Sequence, residues 1–296
     1  MGKQKIAVTT ANGGLGSAII RRIIHQSGKE HVVGIARTPH KAAHLDIEIR
    51  KGDYRKGEDF HRALTGIDTL LLVSGMDDPQ KRIRQHRNVI DAAVAAGVRK
   101  IVYTSIIGGG KETDFSPVVK SNRQTEEDIQ QSGLQWAIGR NGLYIEPDLE
   151  YIDSYVKEGG IINCAGEGQT AYTSRDELAH AYGNMLVEDK HDGQIFNLVG
   201  EPITQFKLAE LINQVYHTRL SYQPISVAAY RKSRQAELGE FMGTIISGIY
   251  EGISQGLFAV HSDFEKATGR PHLSALDMIR QYKATQNERQ HESKHQ

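Results

Sequence analysis

The segment that most constrains the fold of this chain is its first strand, which meets a glycine-rich turn that opens directly into a helix. Residues 6–20 read IAVTTANGGLGSAII. Gly13 lets the backbone approach a ligand, and Gly16 lets the helix pack close to the strand. The free N–H groups at the start of the helix form the positive end of its dipole and attract an anion. This arrangement predicts a site for a dinucleotide pyrophosphate.

One residue of this turn departs from the G-x-x-G-x-x-G pattern. Thr10 stands at the position of the first glycine. A β-branched residue disfavours positive φ, so we expect the turn to be altered there. Asn12 tolerates a left-handed conformation and can bond within its own loop. The alternative interpretation is an ordinary strand-to-helix turn that binds no ligand.

The second strand supports the dinucleotide interpretation and indicates which dinucleotide is bound. The apolar run His31–Ala36 ends in Arg37, about 20 residues after the glycine turn. A carboxylate at this position selects NAD, whereas a guanidinium pairs with the 2′-phosphate of NADP. We therefore expect NADPH to be the cofactor.

Strand and helix patterns alternate about six times up to Arg140, which predicts an α/β fold with a doubly wound parallel sheet. After Asn141 the pattern loosens, which predicts a smaller, mostly helical second domain. We assign residues 1–142 and 175–201 to the dinucleotide-binding domain, and residues 143–174 and 202–285 to the substrate domain. Residues 286–296 contain no apolar side chain, which predicts a disordered tail.

The composition limits the kinds of partner that the protein can be expected to bind. The 36 basic and 36 acidic residues cancel, which argues against direct nucleic-acid binding. No apolar run approaches the length of a membrane span, and the N-terminus enters a strand at once, so we expect a cytoplasmic protein without membrane contact. Cys164 is the single cysteine, and no histidines stand at ligand spacing, so we expect no disulfide and no metal site. Whether the chain forms homo-oligomers stays open.

Ordered motifs along nearly the whole chain resemble one known family. The sequence is similar to the NmrA-like branch of the atypical short-chain dehydrogenases, especially the bacterial NADPH-dependent quinone oxidoreductases and triphenylmethane reductases. The motifs that carry the resemblance are AVTTANGGLG (7–16), RTPHK (37–41), GDY (52–54), QHRNVIDAA (85–93), AGV (96–98), YTS (103–105), RNGLY (140–144) and SRDELA (174–179).

The resemblance implies positions for the residues that bind the cofactor. The pyrophosphate cradle would include Thr10, Asn12, Gly13, Gly14 and Leu15, and Arg37 would meet the 2′-phosphate. Ser74, Gly75 and Met76 would border the cofactor after the fourth strand. Gly142, Leu143, Tyr144 and Glu146 would lie beside the nicotinamide, and Arg175 would lie near the site.

Two departures from the family pattern concern catalysis. Asn122 replaces a Lys or His common in the family, and it has no titratable proton; Lys120 is the nearby residue that could substitute for it. Pro147 replaces an Asn that commonly follows the acidic residue. We name Lys120 and Asn122 as the candidate catalytic residues.

The reaction type follows from a missing motif. The chain contains no Y-x-x-x-K motif, the proton donor that ordinary carbonyl reduction requires. Reduction of a quinone or a dye-like small molecule needs less acid assistance, because its product anion is delocalised. We therefore expect an NADPH-dependent reductase of such an acceptor. The alternative is an NADP-binding redox sensor without turnover. An epimerase acting on a sugar nucleotide would need the missing Tyr–Lys pair.

Overall fold

The computed structural model describes residues 4–111 and 117–293, with side chains described through residue 288. The strands, numbered in chain order, are β1 (Ile6–Val8), β2 (Val32–Ala36), β3 (Glu48–Lys51), β4 (Thr69–Leu72), β5 (Lys100–Ile106), β6 (Gln135–Asn141), β7 (Leu143–Tyr144), β8 (Gly160–Asn163), β9 (Gln169–Thr173), β10 (Gln194–Leu198), β11 (Pro202–Thr204) and β12 (Ser221–Pro224). The helices are α1 (Gly14–Ser27), α2 (Gly57–Ala63), α3 (Pro79–Ala95), α4 (Pro117–Gln130), α5 (Glu146–Glu150), α6 (Ile152–Glu158), α7 (Arg175–Val187), α8 (Gln205–Tyr216), α9 (Val227–Ser254), α10 (Phe264–Thr268) and α11 (Ala275–Ser293).

The centre of the molecule is a seven-stranded sheet in which every neighbouring pair is parallel. The strand order is β10-β6-β5-β4-β1-β2-β3. Apolar side chains of α1 and α7 cover one face, and those of α2, α3 and α4 cover the other. The continuous apolar strands of the sequence are therefore buried on both faces, as parallel sheets require. This confirms the predicted doubly wound α/β fold.

A smaller region is built from short strands and helices. It contains a three-stranded sheet of order β11-β9-β7 and the pair β12-β8. Its core joins α5, α6, α8 and α11 around the fully buried Leu208 and Ile279. The short helix α10 does not belong to this core, because its residues Phe264 and Ala267 pack into the core of the large sheet. The division of the chain into two domains stays a prediction.

The structure has α11 continuing through Ser293, which differs from the disordered tail that the sequence predicts from residue 286; residues 294–296 lie outside the described chain. The first turns of α11 are anchored by buried Met278 and Ile279. Lys283 Nζ also donates to the carbonyl of Val215 at 2.6 Å. Once these turns are docked, the polar residues that follow extend the helix, because Gln, Glu and Arg have good helix propensity.

Helix α9 is two helical arms separated by a break. Gly239 has φ of 81° and ψ of 164°, which interrupts the helix. The arms then pack together closely: a Cβ on Gly243 would lie 2.4 Å from the backbone nitrogen of Gln235. Tyr230 of the first arm and Tyr250 of the second are thereby brought into contact, with ring centroids 5.4 Å apart. Within the described ranges, no helix has both the length and the apolar character needed to cross a bilayer.

Candidate functional site

The candidate site lies at the carboxyl edge of the large sheet, where the chain order reverses. Strands β1, β2 and β3 proceed in one direction across the sheet, and β4, β5 and β6 proceed in the other. The loops that follow β1 and β4 diverge at this switch point and leave a crevice between them. Ligands of open α/β sheets bind in such crevices. The predicted glycine turn follows β1 and therefore borders this crevice.

The glycine turn has the close packing that the sequence predicted, but Thr10 does not behave as expected. Its φ is +50°, so the threonine adopts the left-handed conformation that we expected it to avoid. The surrounding hydrogen bonds enforce this conformation: Gly13 N donates to Thr10 O at 2.7 Å, and Ala11 N donates to Ile35 O at 3.0 Å. A Cβ on Gly16 would lie 2.5 Å from Thr10 O, so the start of α1 and this turn are in direct contact.

The N-terminus of α1 meets the requirements of an anion site. Its N-cap residue Gly13 provides no side-chain hydrogen bond, and the first turn contains no acidic residue. The first N–H groups of the helix are therefore available to an external acceptor. A helix of 14 residues also presents a developed dipole at this end. This chemistry fits the pyrophosphate of a dinucleotide.

Arg37 lies directly after β2 and is exposed. It forms no hydrogen bond or ion pair with the residues that the structure describes. The neighbouring carboxylate Asp53 is instead engaged by Arg55, whose Nε and Nη2 donate to it at 3.0 and 2.6 Å. These hydrogen bonds lower the pKa of Asp53 to about 2. The guanidinium of Arg37 is thus available to a phosphate.

Two side chains of α3 hold the loop after β4; the sequence indicates a packed or capping role for His86 but did not identify Arg82. His86 Nε2 accepts from Gly75 N at 3.1 Å, and Arg82 Nη1 donates to Gly75 O at 3.1 Å. His86 is fully buried, and burial lowers its pKa to about 3, so the ring is neutral. Arg82 is 3% exposed and lines the cavity, with no carboxylate partner among the described residues. The only sequence signal was a polar residue on the buried face of an amphipathic helix.

The two candidate catalytic residues lie in different surroundings. Asn122 lines the cavity and is buried, and its Oδ1 accepts from Tyr103 Oη at 2.5 Å and from Ser74 Oγ at 3.0 Å. Its Nδ2 donates to Val118 O at 3.1 Å. The amide therefore ties α4 to β5 and to the loop after β4. Lys120, in contrast, does not line the cavity. Their catalytic role stays a prediction.

The segment after β6 forms the opposite side of the crevice. Gly142 passes so close to β9 that a Cβ would lie 2.4 Å from Ala171 O. Tyr144 Oη accepts from Asn141 Nδ2 at 3.0 Å, and burial raises the pKa of Tyr144 to about 12. Glu146 and Arg175 are near neighbours, since Glu146 Oε1 accepts from the backbone nitrogen of Arg175 at 2.6 Å. Neither of them lines the cavity.

A single cavity of about 1160 Å³ joins these parts, larger than the roughly 300–1,000 Å³ usual for one ligand. The predicted cofactor residues that line it are Thr10, Asn12, Gly13, Gly14, Leu15, Arg37, Ser74, Gly75, Met76, Gly142, Leu143 and Tyr144. Its far wall is formed by side chains of α5, α6, α9 and the residue between α5 and α6, among them Tyr151, Tyr155, Tyr230 and Tyr250. Sequence reasoning did not identify this wall. Groups of metal-ligating side chains are absent from the part of the chain that the structure describes.

Comparison with known proteins agrees with this geometry. Residues 10–187 match the model of a family described as NAD(P)H-binding. Quinone oxidoreductase 2 of Escherichia coli is 32% identical over 282 residues, which cover 93% of this chain and 97% of the relative. The NmrA-like oxidoreductase flvB of Aspergillus flavus is 28% identical, with 93% of each chain covered.

Solved structures give the same result. The E. coli quinone oxidoreductase QOR2 complexed with NADPH has a TM-score of 0.86 at 30% identity, covering 93% of this chain and 98% of that one. The Citrobacter triphenylmethane reductase complexed with NADP(H) also has a TM-score of 0.86 at 30% identity, covering 94% and 99%. The chain thus belongs to the NmrA-like family and is an NAD(P)H-binding oxidoreductase of the same type as these relatives.

Proposed function

We propose that this protein uses NADPH to reduce a quinone or a similar conjugated small molecule. The observation that carries the proposal is the single cavity that joins the glycine turn to a wall of tyrosines. Its volume exceeds that of a usual one-ligand site, so a cofactor and an acceptor fit together. The nicotinamide would supply a hydride when the cofactor is bound. Aromatic walls favour flat conjugated molecules, because offset and edge-to-face ring contacts are attractive.

The cofactor part of the proposal rests on electrostatics. Arg37 is exposed, has no ion-pair partner among the described residues, and is followed by no carboxylate before residue 46. The 2′-phosphate of NADPH would supply that partner. In this assignment, the N-terminus of α1 holds the pyrophosphate, and the residues from Gly142 to Tyr144 border the nicotinamide. The relatives that carry NADPH or NADP(H) support the same assignment.

The acceptor part rests on the position of α4 where the family resemblance implies a proton donor. The amide of Asn122 at this position cannot donate a titratable proton, and its Oδ1 accepts from Tyr103 of β5 and from Ser74 of the loop after β4. A simple ketone would give an alkoxide that needs strong acid assistance. A quinone gives a delocalised anion that needs less. The relatives named for quinones and for triphenylmethane dyes are consistent with acceptors of this class.

The test is the oxidation of NADPH, followed by its absorbance, against a panel of quinones, triphenylmethane dyes, aldehydes and simple ketones. We expect turnover with the first two classes and little with the last two. NADH should be a poorer donor. Efficient reduction of aldehydes but not quinones would contradict the proposal.

A redox sensor without turnover is the second candidate. It is favoured by Asn122, which leaves no titratable group at the position where the family resemblance implies one. Met76, which lines the cavity and is 75% exposed, would then be available to a partner protein when the cofactor binds. Tight NADPH binding without oxidation by any acceptor would favour this candidate over the reductase.

A further inference from the structure

The cavity wall opposite the glycine turn contains a buried carboxylate without a cation. Asp148 lines the cavity and is 4% exposed. None of the described basic residues forms an ion pair with it. Two tyrosine hydroxyls contact it instead: Tyr155 Oη donates to Oδ1 at 2.7 Å, and Tyr172 Oη donates to Oδ2 at 3.1 Å. Burial raises the pKa of Asp148.

The two tyrosines differ in what lies behind them. Tyr172 is 1% exposed and does not line the cavity. Its hydroxyl oxygen accepts from Gln205 Nε2 at 3.0 Å, and Gln205 Oε1 in turn accepts from Asn163 Nδ2 at 3.0 Å. This buried chain fixes the direction of the Tyr172 hydroxyl. Tyr155, in contrast, lines the cavity. Of the two tyrosines that donate to Asp148, Tyr155 is therefore the one that a molecule bound in the cavity can contact.

We propose that Tyr155 donates the proton that the reduced acceptor requires and that Asp148 stores it. This inference rests on the proposed function. Hydride transfer brings two electrons and one hydrogen to the acceptor and leaves an oxyanion on it. When Asp148 is protonated, its O–H is donated to the oxygen of Tyr155, and the Tyr155 hydroxyl can turn to the acceptor.

Proton transfer then balances in two linked steps. The O–H bond of Tyr155 breaks as its proton passes to the acceptor oxyanion, and Tyr155 takes the proton of Asp148. The acceptor leaves as the neutral reduced molecule. Asp148 remains as a carboxylate that accepts the Tyr155 hydroxyl, which is the arrangement seen in the structure. Water that enters the cavity returns one proton to Asp148. Tyr155 is the catalytic residue, and Asp148 is a positioning residue that acts through it.

The surroundings of Asp148 suit a stored proton. The groups that face it are Tyr155 of α6, Tyr172 of β9, and Tyr230 and Tyr250 of α9. None of these is a cation, so only the two donated tyrosine hydroxyls offset the cost of burying the negative charge, and burial outweighs them. The carboxyl group is therefore kept protonated at higher pH than an exposed aspartate. A donor tuned towards the working pH is the kind that general acid catalysis requires.

The test compares kcat for NADPH oxidation by a quinone across pH in three variants. Tyr155→Phe and Asp148→Asn should each lower kcat by about a hundredfold, the lower end of the range for general acid catalysis. In the unaltered protein kcat should fall as pH rises through the pKa of Asp148, because the protonated form is the active one. Both variants should lose this dependence and keep the affinity for NADPH. Tyr216→Phe, a half-buried tyrosine outside the cavity, is the matched control and should change neither.

A second readout does not depend on turnover. In the protein with ¹³C-labelled aspartate carboxyl groups, one resonance should titrate above the usual range and disappear in Asp148→Asn. Tyr155→Phe should raise its pKa further, because the carboxylate loses a donor. Turnover with an unchanged pH profile in both variants, or an Asp148 pKa in the usual range, would overturn this inference alone. Absence of turnover with every acceptor would overturn the proposed function and this inference with it.

Discussion

Two glycines of the same turn give a matched test of how the cradle is built. Gly14 and Gly16 are both in the first turn of α1, so replacement by alanine changes helix propensity alike at both. Their surroundings differ. A Cβ at Gly16 would lie 2.5 Å from the carbonyl oxygen of Thr10 and 3.1 Å from that of Thr9, both of them backbone atoms. A Cβ at Gly14 would lie 3.0 Å from Nε of Arg175, the far end of a flexible side chain.

The expected magnitudes follow from these distances. To restore an ordinary contact of 3.4 Å, α1 must retreat from the turn by about 1 Å in Gly16→Ala. Overpacking of this kind costs about 1–3 kcal/mol of unfolding free energy. In Gly14→Ala the arginine can move aside, and the reduced entropy of the unfolded chain stabilises the protein by about 0.4–1 kcal/mol. The two variants should therefore differ by roughly 1.5–4 kcal/mol.

Urea unfolding followed by circular dichroism measures the difference. Gly16→Ala should unfold at lower urea than the unaltered protein, and Gly14→Ala at the same or higher urea. Calorimetry should also show weaker NADPH binding by Gly16→Ala, because the N–H groups of α1 move away from the pyrophosphate. Equal unfolding midpoints for the two variants would refute the close contact between α1 and Thr10.

Three further predictions concern single side chains. Arg37→Ala should weaken NADPH binding about ten- to a hundredfold, because a charge-assisted hydrogen bond contributes roughly 1.5–3 kcal/mol. Calorimetry should show unchanged NADH binding, and equal losses for both cofactors would contradict the 2′-phosphate assignment. Thr10→Gly should raise the unfolding free energy by up to about 1.5 kcal/mol, since it relieves a left-handed strain of about 1–2 kcal/mol against a glycine cost of about 0.5–1 kcal/mol. His86 stays neutral in the folded protein, but in the unfolded chain it binds a proton below about pH 6.5. The free energy of unfolding should therefore decrease by up to about 1.4 kcal/mol for each unit that the pH is lowered from 6.5 to 3. His86→Gln should show a smaller fall in urea unfolding between pH 7 and 5, and an identical fall would argue against a neutral His86.

Much of the fold could be predicted because its signals are local in sequence. The strand, turn and helix of residues 6–20 are contiguous, and Arg37 follows β2 at the spacing that a βαβ unit imposes. Parallel strands bring the loops after β1, β2 and β4 to one edge of the sheet. Most of the predicted cofactor residues therefore line one cavity.

Two features of the structure differ from the sequence predictions, and both have causes that are not local in sequence. Thr10 takes a left-handed φ because hydrogen bonds to Gly13 and Ile35 outweigh the intrinsic preference of a β-branched residue. Residues 286–293 are helical because buried Met278 and Ile279 anchor the preceding turns. Both conformations are determined by tertiary contacts, which the sequence of a single segment does not show.

The acceptor side of the cavity could not be predicted from the sequence, for a related reason. Asp148 and Tyr155 lie on helices of five and seven residues, and a helical pattern there does not show that the two side chains meet at a cavity. Tyr172 joins them through the pairing of β7 with β9, across 24 positions of the chain. On α4, the position where the family resemblance implies a proton donor is occupied by Asn122, whose amide bonds to Tyr103 and Ser74. The structure places a buried carboxyl and its tyrosines on the opposite wall, so the missing Y-x-x-x-K motif argues against one kind of proton donor and not against acid catalysis itself.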